Sequence, residues 1–206
     1  MSRLISRIGY ILFVVGWLVV IFKNNDLWNH FFAPTPLEVI GAQEAHSKNW
    51  RGKDVIVAVL DEGFDLEHLG LKSQTLPYRY NTDDRLPYAD TSVIYKNGHY
   101  EFQSHGTHVS GIILGNASGK FKGVAPDAKL IPIKIGGRGG EKSLVRGLNL
   151  AQKSPAHIVN ISMQLSFSGR WISPDVAQAL VDLAQSGKIT RVTQFAAKGW
   201  ESKRKT

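Results

Sequence analysis

Two residues of the types that cooperate in proton transfer, Asp61 and His105, each stand at the edge of a regular sequence pattern. Asp61 follows the apolar run VIVAVL, and His105 lies near the start of SHGTHVSGI, whose apolar residues have helical spacing. A histidine serves as a general base when a carboxylate fixes its tautomer and stabilises the imidazolium. The alternatives, a turn aspartate and a histidine that merely begins a helix, stay open because sequence separation does not reveal distance.

A zinc site is a second chemistry that these residues could support, with His105, His108 and Asp61 as ligands. The two histidines lie three residues apart. Metal-binding histidines on a helix more usually lie four residues apart, and Gly106 between them weakens the helix. We therefore expect no metal site here.

Phosphate binding is a third possibility, because the segment GGRGGEKS starting at Gly136 follows an apolar run and opens a helical pattern. The second obligatory glycine of a phosphate loop is replaced by Glu141. Its negative side chain would stand where backbone amides should meet phosphate. A glycine-rich surface turn is the better interpretation.

The elements that must position Asp61 and His105 follow an alternating order. Three apolar, β-branched runs predict buried parallel strands: Val55 to Leu60, Lys129 to Ile135 and His157 to Ile161. Helical spacing lies between and after them, at His105 to Leu114, Ser143 to Lys153 and Pro174 to Gln185. This order predicts an α/β fold, a doubly wound parallel sheet with helices on both faces, although Pro132 lacks a donor within the second strand. Functional residues of such sheets gather at the carboxyl ends of strands, where Asp61 lies.

The 206 residues can form one sizeable domain, and they carry a formal net charge of +8. Much of this charge lies at the two ends of the sequence, so we expect no nucleic-acid partner. The absence of cysteine excludes disulfides, thiolate metal sites and cysteine nucleophiles.

The N-terminus has the charged and apolar parts of an export signal, with two arginines followed by the uncharged run Ile8 to Phe22. No small-x-small cleavage site follows closely, so residues 1–23 are predicted to be an uncleaved signal anchor that holds the chain at a membrane through residues 8–22. The remainder would be exported to the periplasm or the outside, or secreted if the segment is cleaved. A helix packed in a soluble core is the alternative.

Four segments, VIVAVLDEGFDLEHL, SHGTHVSGI, GVAPDAKLIPIKI and VNISM, resemble successive segments of the subtilisin-like serine protease family in order and spacing. The resemblance extends from about Gly52 to Gly187 and implies a subtilisin-like fold and peptide hydrolysis. It implies that Asp61 is the orienting aspartate and His105 the general base. Substrate binding is implied at Ser162, Met163 and Gln164, the last at a position where the family usually has glycine.

The sequence departs from the family at two positions near these motifs. Glu62 replaces the usual serine or threonine after the aspartate and adds negative charge beside the histidine. Gly70 occupies the position where many members have a calcium-binding aspartate, and the loop Leu114 to Lys122 has no carboxylate. We expect no cofactor, since calcium is possible in the family but its ligands are not evident here.

The family pattern weakens after Gly187, where an apolar strand ending in Ala-Ala-Gly-Asn and a later Gly-Thr-Ser-Met-Ala segment are expected. No asparagine follows Ala197 at the expected place, and no Gly-Thr-Ser occurs in the sequence. The expected organisation is a linker at 24–50, a C-terminally truncated peptidase domain at 51–187 and a basic tail at 188–206. Because the nucleophilic serine and the oxyanion asparagine are missing, we expect these residues alone to be inactive.

Three functional hypotheses follow. The chain is an N-terminal portion of an exported endopeptidase acting on polypeptides, or it is a membrane-anchored, non-catalytic peptide-binding protein, or a second polypeptide supplies the serine half. The first is preferred to the second because a sheet without its later strands leaves an edge and apolar surface uncovered.

Overall fold

The computed structural model describes residues 34–82, 93–96, 99–102, 104–118, 121–136, 140–162 and 173–192. The chain divides into two compact units, Met1–Glu44 and Ala45–Thr206, and the division falls within the predicted linker 24–50. Helix α1 (Pro36–Val39) is begun by a capping box between Thr35 and Glu38, and α2 (Ala42–Ser47) follows it. The predicted anchor at 8–22 lies outside the described residues. Among the helices that are described, none has both the length and the apolar character to cross a membrane.

In the part of the chain that the structure describes, the second unit is built on a parallel sheet of five strands. They are β1 (Ile56–Asp61), β2 (Tyr80–Asn81), β7 (Lys129–Lys134), β8 (Ile158–Ile161) and β9 (Ile189–Val192), and their order in the sheet is β2-β7-β1-β8-β9. Two short antiparallel pairs lie apart from it, β3 (Val93–Lys96) with β4 (His99–Phe102) and β5 (Asn116–Ala117) with β6 (Phe121–Lys122). The helices are α3 (His105–Leu114), α4 (Gly140–Lys153) and α5 (Pro174–Gln185).

Strand β1 lies between β7 and β8 and is covered on both faces, as its continuous apolar sequence predicts. Alternate side chains enter two different clusters because successive residues of a strand point to opposite faces. Ala58 and Leu60 belong to a core that includes the apolar sides of α4 and α5. Val57 and Val59 belong to a second core that includes Leu114 of α3. The predicted parallel sheet with helices on both faces is therefore confirmed.

Pro132 lies in the middle of β7 without interrupting the ladder to β1. On the β1 side, the amide of Lys129 donates to the Val55 carbonyl and the amide of Ile135 donates to the Asp61 carbonyl. The amide of Leu130 donates to the Gln74 carbonyl on the other side of β7. Because donors alternate along a strand, Pro132 faces the side of Leu130. On that side only an isolated bridge at Thr75 and the two-residue strand β2 pair with β7 in the described part of the chain, so the missing donor costs no bond to β1.

The sheet continues past Gly187, where a tail outside the family pattern was predicted. Strand β9 pairs in parallel with β8 from Ile158↔Ile189 to Ile161↔Val192. The sequence Ile-Thr-Arg-Val lacks the continuous apolar character of the inner strands, and a strand at the edge of the described sheet tolerates such polar residues. Strand β9 therefore extends the sheet beyond Gly187, the residue after which the basic tail was predicted to begin.

Candidate active site

Asp61 is the last residue of β1 and is fully buried at the carboxyl end of the sheet. Its Oδ1 atom accepts a hydrogen bond of 2.8 Å from the backbone amide of Glu62. Burial raises the pKa of the Asp61 carboxyl above its usual value. The hydrogen bonds from His105 and Glu62 lower that pKa in part, and the neighbouring Glu62 carboxylate raises it. Asp61 is therefore a desolvated carboxyl whose ionised form depends on its few donors.

His105 is the first residue of α3, and its ring reaches both oxygens of Asp61. Nδ1 lies 2.8 Å from Oδ1 and 2.9 Å from Oδ2. A carboxylate only accepts, so Nδ1 carries the proton and Nε2 is the basic nitrogen of the neutral ring. The His105 side chain is 52% exposed, in contrast to its buried partner. The structure thus brings together the two residues that the sequence singled out.

The start of α3 is held against the turn after β1 by Gly106 and Thr107, which the sequence did not single out as part of the site. A Cβ atom on Gly106 would lie 2.5 Å from the Gly63 carbonyl oxygen and 2.9 Å from the Asp61 Cβ. Thr107 Oγ1 accepts a hydrogen bond of 2.8 Å from the amide of Asp65. Glycine permits the close approach and threonine fixes it, so the motif His-Gly-Thr sets the distance between ring and carboxylate.

Ser162 directly follows β8 at the same end of the sheet as Asp61. The parallel pairing of Leu60 with Ile161 places the two following residues, Asp61 and Ser162, side by side on neighbouring strands. Ser162 Oγ accepts a hydrogen bond of 2.9 Å from Asn160 Nδ2. Met163 and Gln164, the other two residues predicted to bind substrate, lie outside the described residues.

His108, the second histidine of the motif, is exposed on α3 and lines a cavity of about 820 Å³. Thr107, Ile112 and Phe121 also line this cavity, but Asp61 and His105 do not. The cavity and the Asp61–His105 pair are therefore separate features. Within the ranges that the structure covers, no group of three metal-ligating side chains is found.

Comparisons with known proteins agree with this geometry. The model of the subtilase family, Peptidase S8, matches residues 52–197. The major intracellular serine protease of Bacillus subtilis is 35% identical over 177 residues, which cover 84% of this chain and 52% of that protein. The minor extracellular protease Vpr of the same species is 32% identical, with 78% of this chain and 20% of that protein covered.

A solved structure gives the same assignment at the level of the fold. The crystal structure of fervidolysin from Fervidobacterium pennivorans, a keratinolytic enzyme related to subtilisin, matches with a TM-score of 0.58 and 29% identity. The match covers 76% of this chain and 23% of fervidolysin. The chain spans about half or less of the length of these relatives. With the matched region extending over most of its residues, the chain belongs to the subtilase family of serine proteases.

Proposed function

We propose that this chain supplies the aspartate and the histidine of a subtilisin-like serine endopeptidase. The observation that carries the proposal is the contact of His105 Nδ1 with both oxygens of the buried Asp61. A carboxylate in this position orients the imidazole, fixes the Nδ1–H tautomer and stabilises the imidazolium. The exposed edge of the ring remains available to a reacting group.

In the proposed reaction His105 Nε2 takes the proton of a serine hydroxyl as the hydroxyl oxygen attacks a peptide carbonyl carbon. His105 then gives this proton to the leaving amine, and water releases the acyl group in a second cycle of the same transfers. Asp61 stays ionised throughout and keeps the ring in place. The desolvation that raises the pKa of Asp61 also strengthens its attraction to the imidazolium, because a charge pair interacts more strongly at low dielectric.

The substrate class is an extended polypeptide that runs beside the end of β8. Ser162 and the two residues after it match the family segment that pairs with substrate backbone, and Ser162 lies beside Asp61. Main-chain hydrogen bonds to such a segment hold a peptide in extended form near the base.

The nucleophile is the part that this sequence lacks, since it has no Gly-Thr-Ser segment and no asparagine after Ala197 at the place of the oxyanion donor. We therefore expect no peptidase activity from these 206 residues by themselves. The serine would come from the later family segments, either in a continuation of this chain or in a second polypeptide.

The experiment measures casein hydrolysis by the purified full chain, alone and mixed with a polypeptide that carries a subtilase Gly-Thr-Ser-Met-Ala segment, preferably one encoded downstream. Activity only in the mixture, lost in His105→Ala and kept in His108→Ala, supports the proposal. Hydrolysis by the chain alone that His105→Ala abolishes would show that the nucleophile is present after all. Activity of the mixture that survives His105→Ala would refute the role of His105.

A peptide-binding role without catalysis is the alternative outcome, motivated by the position of Ser162. It requires saturable binding of an extended peptide by the full chain, with no hydrolysis in any mixture.

Attachment to a membrane through residues 8–22 stays a prediction from the sequence, and alkaline extraction of membranes from cells that make the full chain tests it. The chain would stay with the lipid fraction if the prediction holds.

A further inference from the structure

The loop after β1 and the short hairpin of β5 and β6 meet around one aromatic ring. The amide of Asn116 donates to the Gly70 carbonyl at 2.9 Å, and the amide of Gly123 donates to the Gly115 carbonyl at 2.7 Å. These bonds place Phe121 of β6 over two buried glycines, Gly70 and Gly115. We refer to Gly70, Gly115 and Phe121 as the loop–hairpin junction.

The ring of Phe121 fills the space that side chains at the two glycines would need. A Cβ atom on Gly70 would lie 2.2 Å from Phe121 Cζ, and one on Gly115 would lie 2.5 Å from Phe121 Cε2. The imidazole of His68 adds a tilted ring contact, with centroids 5.9 Å apart. Apolar and aromatic contacts therefore fill the junction on the glycine side of the ring, while part of the Phe121 side chain stays exposed and lines the cavity described above.

Calcium does not fit these residues. A calcium ion takes about six to eight oxygen ligands, and carboxylates supply most of its charge compensation. Position 70, which resembles the family's aspartate position, has no side chain, and the segment 114–122 contains neither aspartate nor glutamate. A side chain restored at position 70 would meet the Phe121 ring before it reached an ion.

We infer that Phe121 closes the loop–hairpin junction in place of a cation, so that the stability of this domain does not depend on calcium. The inference concerns the fold alone and does not rest on the proposed function. A bound cation stabilises a fold only to the extent that its free concentration exceeds its Kd. Packing by a side chain stabilises the fold at any cation concentration.

Thermal unfolding of the full chain, in calcium and in a calcium chelator, is the first test. We expect the two unfolding temperatures to agree within about 1 °C, since the ring of Phe121 leaves no calcium site at the loop–hairpin junction. A calcium site at one hundred times its Kd would instead raise the unfolding temperature by roughly 5–10 °C for a protein of this size. Such a rise would overturn the inference.

A double-mutant cycle tests the ring itself. Phe121→Ala removes the ring and Gly70→Ala displaces it; because Phe121 is 38% exposed, we expect each to lower the unfolding temperature by roughly 2–4 °C. The double variant should be about as stable as Phe121→Ala, since the methyl group added at position 70 then has room. Additive losses, or a neutral Gly70→Ala, would contradict the packing described here.

Gly111→Ala is the matched control, because it adds the same methyl group beside the same ring. Its Cβ would lie 4.0 Å from Phe121 Cε2, an ordinary contact, and alanine favours the helix. We expect an unchanged unfolding temperature or a rise of about 2–4 °C. Calorimetric titration of the unmodified chain with calcium needs no variant to fold, and measurable saturable binding of calcium would also overturn the inference.

Discussion

The contact between Asp61 and His105 makes a quantitative prediction about stability that is independent of any catalytic activity. His105→Ala removes the side-chain donor to Asp61 and leaves the amide of Glu62 as the remaining donor, within the described residues, to this fully buried carboxyl. A hydrogen bond to a charged group contributes about 1.5–3 kcal/mol. Because the histidine side chain is about half exposed, we expect a loss of about 2 kcal/mol at neutral pH, or roughly 4–8 °C in unfolding temperature.

The sign of the pH dependence follows from the raised pKa of Asp61. Between the unfolded and the folded pKa the native state holds more protons, so this carboxyl's contribution to stability falls as pH rises through that window. His105 lowers the pKa of Asp61, and its removal raises that pKa further. The cost of His105→Ala should therefore be largest at neutral pH and should shrink in acid, where Asp61 is protonated and no longer carries the charge that the His105 donor stabilises.

The assay is denaturant unfolding followed by circular dichroism at several pH values, with three companions to His105→Ala. Asp61→Asn removes the charge, the double variant completes a cycle, and His108→Ala is an exposed histidine of the same helix outside the pair. We expect His105→Ala to cost little in the Asp61→Asn background, and His108→Ala to change stability by less than about 0.5 kcal/mol. An equal cost of His105→Ala in both backgrounds would refute the coupling.

Two further predictions concern the contacts that hold this region. Gly106→Ala should destabilise the chain by about 1–3 kcal/mol in the same unfolding assay, because its methyl group meets the Gly63 carbonyl and Asp61; an effect as small as that of Gly111→Ala would contradict the close approach. Arg51→Ala should cost about 1 kcal/mol at neutral pH, since it removes a partly exposed two-bond ion pair with Asp127. Arg51 lowers the pKa of Asp127, so this stability is present above the usual aspartate pKa and is lost in stronger acid; a cost that persists there would argue against the ion pair.

The central part of the fold was predictable because its strands and helices have regular sequence patterns: a continuous apolar run for β1 and helical spacing of apolar residues for α3 and α5. Helices α3 and α5 have the predicted bounds, and β1 begins and ends one residue later than its apolar run. Asp61 and His105 could be identified because each borders a strong pattern. The distance of 2.8 Å between His105 Nδ1 and Asp61 Oδ1 could not be predicted. It depends on how closely α3 approaches the sheet, and Gly106 and its neighbours set that approach.

The outer parts of the sheet were less predictable for a physical reason. An outer strand has fewer buried neighbours and carries polar residues, so β9 lacks the continuous apolar sequence by which inner strands are recognised. Pro132 costs no hydrogen bond to β1 because its nitrogen faces the β2 side of β7. The strand pairing on the two sides of β7 determines this direction, and the sequence alone does not reveal it. The role of Phe121 likewise depends on two glycines that are distant in sequence from one another.

The side-chain contacts of the Asp61–His105 pair are made by β1, α3 and the turn between Glu62 and Asp65. Nothing in these contacts requires a serine or an oxyanion donor to be present. A polypeptide that folds through this region would therefore hold the imidazole against the carboxylate whether or not it hydrolyses peptides. Retention of the pair is strong evidence of ancestry and weak evidence of activity, and for that reason the hydrolysis assay includes a second polypeptide, whereas the stability assay does not.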